Sequence, residues 1–151
     1  MRAIARVDVG LLILRLAGLY LALAHGLEKV TGLSTGQSRF PERVAALGFP
    51  APELFAWAAA LSEFGGGLLI AVGLFTRWAA LFAAFTMFVA GFVRHRALGH
   101  FLSWIGIAPV SEKVLEAWDD PETALVYLLA FVALALVGPG RLSIDARRAH
   151  R

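Results

Sequence analysis

One acid, Glu63, stands in the interior of the apolar stretch APELFAWAAALSEFGGGLLIAVGL, whose other acid, Glu53, lies at its very start. Near the N-terminus another apolar run contains one base, Arg15, and ends in AHGLEK, which brings His25, Glu28 and Lys29 within five positions. Residues of these types can handle protons. Glu63 is the acid–base group in an apolar medium, and His25 is a side chain that can donate or accept a hydrogen bond. Arg94, His95, Arg96 and His100 close a further apolar run, and with His25 they can surround an anionic or quinone headgroup. Arg15, Gly18, Ala22, His25 and Lys29 recur at steps of three and four, so on a helix they share one face, with Glu28 beside His25. If that face meets Glu63, a polar column runs from Arg15 through Glu63 to His25, Glu28 and Lys29. A plainer reading makes Arg15 and Glu63 a buried pair that fixes helix register. It leaves Glu28 and Lys29 as helix-end charges and Arg94, His95 and His100 as snorkelling side chains.

The elements that must position these groups are set by composition. Of 151 residues, 59% are hydrophobic and 17% charged, with a mean hydropathy of +0.72. Soluble domains carry about 25% charged residues, so this chain has too little polar surface to face water all round. Crossing a bilayer takes about 20 apolar residues in a helix. Segments 9–30, 52–74, 77–93 and 121–137 meet or approach that length, the last two being short. Pro52 and Pro121 suit first helical turns, Asp120 an N-cap, and GPGR at 138–141 a stop. The expectation is a single-domain, all-α integral membrane protein over residues 1–151. It is a four-transmembrane-helix bundle with two long loops on the outer side. Each loop holds a short helix, one starting near Pro41 and one capped by Ser111. By the rise of a helix, Arg15 lies roughly 9 Å from one membrane face and Glu63 roughly 16 Å from the other.

Charge bias sets the orientation. The N-terminus, the turn near Arg77 and the C-terminal tail carry seven arginines against two acids, whereas the long loops and their flanks carry six bases against eight acids. Basic residues mark the cytoplasmic face, which places both termini in the cytoplasm. Counted by Lys and Arg alone the difference is small, so the acidic loops only support it. A cleaved secretory signal fits poorly, because Arg15 interrupts its apolar core. The scattered basic residues give no nucleic-acid surface. The chain has no cysteine, which removes thiolate metal sites, iron–sulfur clusters and disulfides. Haem and zinc find no adequate set of ligands, since His25 and Glu28 alone make at most half a zinc shell.

Four motifs resemble the DoxX family of small four-helix bacterial membrane proteins: AHGLEK (24–29), PERVAALGFPAP (41–52), LSEFGGGLLIAVGLFTRWAAL (61–81) and GPGRLSID (138–145). The resemblance implies His25, Lys29, Glu63 and Arg77 as shared polar positions. It also implies a link to quinone-dependent oxidation, as in thiosulfate:quinone oxidoreductases of sulfur-oxidising archaea, although other relatives belong to oxidative-stress complexes. The segment EAWDDPETA departs from the glycine-rich approach expected before the last helix. The leading expectation is a quinone-linked membrane oxidoreductase or a subunit of one, in which Glu63 moves protons and His25 bonds a quinone carbonyl. Arg15, Glu28, Lys29, Arg94, His95 and His100 then serve as ligand contacts. With no electron-carrying cofactor evident, a partner redox protein or a direct donor supplies electrons. The alternatives are a non-catalytic subunit that docks a partner in the lipid, or a solute or proton pathway in an oligomer.

Overall fold

The computed structural model describes residues 6–149, which are helical and turn structure without a strand. Helix α1 (Arg6–Ser34) is continuous over 29 residues. It is followed by α2 (Phe40–Ala46), α3 (Pro52–Val72), α4 (Thr76–Arg94), α5 (Ala97–Trp104), α6 (Glu112–Trp118), α7 (Glu122–Val137) and α8 (Ile144–Arg148). Among the described residues three helices, α1, α3 and α4, are long and apolar enough to cross a membrane. A fourth crossing exists if α6 and α7, bent by 47° at their junction, count as one broken span.

The pattern of burial identifies the solvent these helices were built for. Large apolar side chains point outward: Ile13, Phe82, Phe85, Leu129 and Leu136 are each 62–72% exposed. Small residues fill the inside, where Ala79, Ala80, Ala83 and Ala84 of α4 lie against Phe131 and Leu134 of α7. Water would reject such an exterior, and hydrocarbon accepts it while rewarding close backbone packing. The α1–α3 contact is closer still. A Cβ on Gly67 would stand 2.5 Å from the Gly18 carbonyl oxygen, and one on Gly26 would overlap the Phe64 backbone. At Ser62–Gly66 in α3 and Ala22–Gly26 in α1 the helices widen into π turns that pack against each other, and α4 ends in a third at Val89–Arg94. Of the three consecutive glycines, Gly67 makes the tight approach, whereas a Cβ on Gly65 would meet nothing.

The end of the bundle that holds the α3–α4 turn and the C-terminal segment is tied by polar bonds. Gly73 and Phe75 both adopt left-handed backbone angles, which reverses the chain within three residues. Phe75 cannot cap α4 with its side chain. The Asp145 carboxylate does so from 69 residues away, accepting from the Phe75 and Thr76 backbone N–H groups at 2.8 and 2.9 Å and from the Thr76 hydroxyl at 3.0 Å. The Asp145 N–H donates to the Gly73 carbonyl at 2.9 Å. Arg77 donates to the Ala135 and Val137 carbonyls at the end of α7, each at 3.4 Å. Helices end with orphan carbonyls, and a guanidinium satisfies two of them here. The Asp8 carboxylate accepts from the Arg141 N–H at 2.8 Å.

At the opposite end, α5 was not anticipated: the segment 94–120 was expected to hold one short helix and contains two. They close on each other through the Trp118 ring, which packs on Gly99 and against the edge of His100, while Arg94 donates to the Trp118 carbonyl at 3.3 Å. Ser111 precedes α6 without a side-chain cap bond, and Asp120 accepts from the Glu122 N–H at 2.8 Å.

Burial alone would raise the Asp145 pKa. The Thr76 and Phe75 N–H groups, the Thr76 hydroxyl and the Arg148 charge outweigh it and hold the carboxyl below its ordinary value. A depressed folded pKa contributes stability that is complete above the unfolded value of about 4 and is lost as pH falls through the folded one. Asp145→Ala is therefore expected to lower unfolding stability in detergent by about 1–2 kcal/mol at neutral pH. The gap from wild type should close below about pH 4. Thermal unfolding followed by circular dichroism at pH 7 and pH 3 checks both.

Candidate functional site

Glu63 is 2% exposed, at the second position of the π turn in α3. Its partner is Lys29 of α1, whose Nζ lies 2.5 and 2.6 Å from the two carboxylate oxygens. A buried carboxylate demands such a counter-charge, and a two-oxygen contact satisfies both acceptors. The Lys29 side chain is 30% exposed and crosses the Phe40 ring at 5.0 Å from its centroid, a cation–π contact that steadies it.

This pair forms part of the wall of a cavity of about 460 Å³ between α2, α3 and α4. Small-molecule sites span roughly 300–1,000 Å³, so the size suits a ring-sized ligand. Phe40, Phe55, Phe82, Phe85 and Val89 make it apolar. The Thr86 hydroxyl bonds the Ser62 hydroxyl at 3.1 Å on the wall beside Glu63. Arg43, Arg94, His95 and Asp119 add charge, with His95 Nδ1 4.0 Å from the Asp119 carboxylate and 3.2 Å from the Trp118 carbonyl. Phe55, Phe82 and Phe85 are themselves 38–65% exposed on the outside of the bundle, so the apolar lining runs on to the surface that lipid would cover.

Among the anticipated residues, Glu63, Lys29, Arg94 and His95 share this cavity. His25 and Glu28 instead line a smaller, polar cavity of about 230 Å³ with Lys29, Ser38, Phe40 and Arg43. Arg15 is elsewhere. It is 1% exposed, donates to the Leu142 carbonyl and packs its guanidinium against Gly73, ten residues or about 15 Å along α3 from Glu63. The polar column expected from Arg15 to Lys29 is thus divided into two groups at opposite ends, and the pair that forms is Lys29–Glu63. The π turn explains His25: its extra residue rotates the following face, so Gly26 is buried where His25 was expected and His25 is exposed, edge-on to Tyr127 at 6.3 Å. His100 packs on Trp118 and does not line either cavity. Among the described residues no three His, Cys, Asp or Glu side chains converge on a metal position. Phe40 and Arg43, one turn apart on α2, were missed as site residues, although their i, i+3 spacing in FPER places them on one face.

The DoxX family model matches residues 10–96, more than half of the chain. The chain belongs to the DoxX family. It is 31% identical over 137 residues to the inner membrane protein YphA of Escherichia coli K12, covering 91% of this chain and 89% of that one. It is likewise 31% identical over 138 residues to the inner membrane protein YqjF of the same organism, covering 91% of each chain. No solved structure matches it. The DoxX match contains the whole Lys29–Glu63 pair and the cavity walls from α2, α3 and α4, and it stops short of His100, α7 and the Asp145 cap.

Removing one member of a buried pair strands the other. Lys29→Met is expected to destabilise the fold by about 2 kcal/mol, below the roughly 3–5 kcal/mol of a fully buried pair because Lys29 is partly exposed. The double variant Lys29→Met/Glu63→Leu should be more stable than Lys29→Met alone, as measured by detergent unfolding. Additive losses would contradict the pairing.

Proposed function

We propose that this DoxX-family chain is a four-helix inner-membrane protein of a bacterium that binds a quinone in the cavity beside Lys29 and Glu63, as an oxidoreductase or the quinone-binding subunit of one. In this reading α6 and α7 act together as the fourth crossing. Both termini face the cytoplasm with the α3–α4 turn, and the segments carrying α2, α5 and α6 face outward. The arginines at the terminal end and the acids at the other favour that orientation.

The observation that carries the proposal is a charge-paired acid forming part of an apolar cavity whose walls continue to the lipid-facing surface. A quinone is a flat apolar ring with two polar oxygens, and it dissolves in the hydrocarbon beside that surface. When bound it supplies two-electron chemistry, coupled to uptake or loss of protons at its oxygens. The chain's own residues do the rest. Phe40, Phe55, Phe82 and Phe85 hold the ring and exclude water. Lys29 presents a charged donor to a carbonyl oxygen, and Glu63 takes or returns the proton. Arg43, Arg94 and His95 provide further donors. Electrons pass to or from a partner redox protein or a direct donor, and the chain itself carries them nowhere. His25, which lines the other cavity, is not a carbonyl contact in this scheme. A docking subunit is the second reading, favoured by the exposed apolar residues Phe101, Trp104 and Ile107 in and after α5.

Purification in mild detergent, extraction with organic solvent and mass spectrometry of the extract test the proposal. Near-stoichiometric quinone is expected from wild type and from His25→Ala. A loss of at least tenfold is expected in Glu63→Gln and Lys29→Met. Wild type without quinone, even after incubation with an excess, would overturn the reading and leave the docking subunit.

A further inference from the structure

We propose that the smaller polar cavity is a water-filled proton inlet to the Lys29–Glu63 pair, separate from the apolar cavity that takes the ligand. The inference rests on the reading of Glu63 as the proton-handling group and adds the route by which its proton is exchanged. The two cavities have three residues in common, Lys29, Phe40 and Arg43. Their remaining walls differ in kind. The smaller cavity is completed by His25, Glu28 and Ser38, each able to bond water, whereas the larger is mostly phenylalanine, alanine and aliphatic side chains. Buried water persists where two to four polar partners surround it and a dry apolar cavity repels it, so the two compartments hold different contents.

Lys29 is the junction. Its ammonium group has three donors, of which the Glu63 oxygens occupy two, which leaves one for water. Its side chain is 30% exposed while that of Glu63 is 2% exposed, so the pair meets water on the lysine side. The Phe40 ring, under the Lys29 ammonium, stands in the wall of both cavities.

The other charged or titratable groups around the pair sort by compartment. From α1, His25 and Glu28 face the inlet, and both are exposed at its rim. Arg43 of α2 faces both cavities. Arg94 and His95 at the end of α4, with Asp119 between α6 and α7, face the ligand cavity. Tyr127 of α7 touches the His25 ring. When Glu63 holds a proton, Lys29 releases one Nζ proton to inlet water, with His25 and Glu28 as the outermost acceptors, and the neutral amine so formed then takes the proton from Glu63. Its passage does not require the ligand cavity to empty.

The test uses the two lysines of the chain, Lys29 and Lys113, as separate signals in protein labelled with ¹⁵N-lysine. Exchange of the Lys29 Nζ protons with water is measured by NMR on the full chain in detergent without quinone, with exposed Lys113 as reference. Glu28→Phe and Ser38→Leu fill the inlet from two sides, and Ala59→Leu fills the ligand cavity. Each inlet variant is expected to slow Lys29 exchange at least fivefold, and Ala59→Leu to leave it within twofold of wild type. The proposal is overturned if both inlet variants stay within twofold, or if Ala59→Leu slows exchange as much as they do. Because no quinone is present, loss of the quinone reading by solvent extraction would leave this result untouched.

Discussion

The burial of one carboxylate governs this structure. A charge at membrane depth costs several kcal/mol unless it is matched, and Glu63 is matched by a lysine that reaches it from another helix. That contact needs α1 and α3 nearly touching, which is why a Cβ on Gly26 would overlap the Phe64 backbone and one on Gly67 would crowd the Gly18 carbonyl. It also coincides with a local widening of both helices, since π turns lie at Ala22–Gly26 and Ser62–Gly66. Each such turn interrupts the regular ladder, and such irregularities are found disproportionately at functional sites. Here they rotate Gly26 inward and bring Lys29 and Glu63 to the same level.

The second polar centre lies at the other end and does mechanical work. Arg15, Asp8 and Asp145 bond mainly to backbone groups of the C-terminal segment and the α3–α4 turn. These contacts join the start of α1, the head of α4 and the end of α7 into one rigid base. The division is economical in physical terms: one end satisfies helix termini, and the other is left with a charged pair beside a cavity. The large apolar side chains of the exterior serve neither end and simply meet lipid.

Much of the fold could be read from the sequence because the membrane imposes few choices. Long apolar runs had to be helices, and Pro52, Gly73 and Gly138 stand at the observed ends of α3 and α7. Features that depend on distant partners were less legible. The cap supplied by Asp145 joins residues 69 apart in sequence, and no local pattern announces it. The extra helix α5 starts only two residues after α4 and without a side-chain cap, so no boundary signal separates it from the preceding span. The site was half legible. Glu63 and Lys29 were both visible as polar groups at a membrane helix, but the helical wheel that placed His25 beside Lys29 assumed 3.6 residues per turn throughout. The π turn breaks that assumption, whereas Arg15, which precedes it, keeps the expected face and is parted from Glu63 by about ten residues of α3 along the helix axis. Phe40 and Arg43 entered the site through tertiary folding of α2 onto α3.

The most direct measurement is a structure of the full chain determined in a lipid nanodisc with a short-chain quinone added. The account requires the ring between α2, α3 and α4, with one oxygen within hydrogen-bonding distance of Lys29 Nζ and Lys29 still in contact with Glu63. A quinone seated elsewhere, or a Lys29 that points away from Glu63, would contradict it.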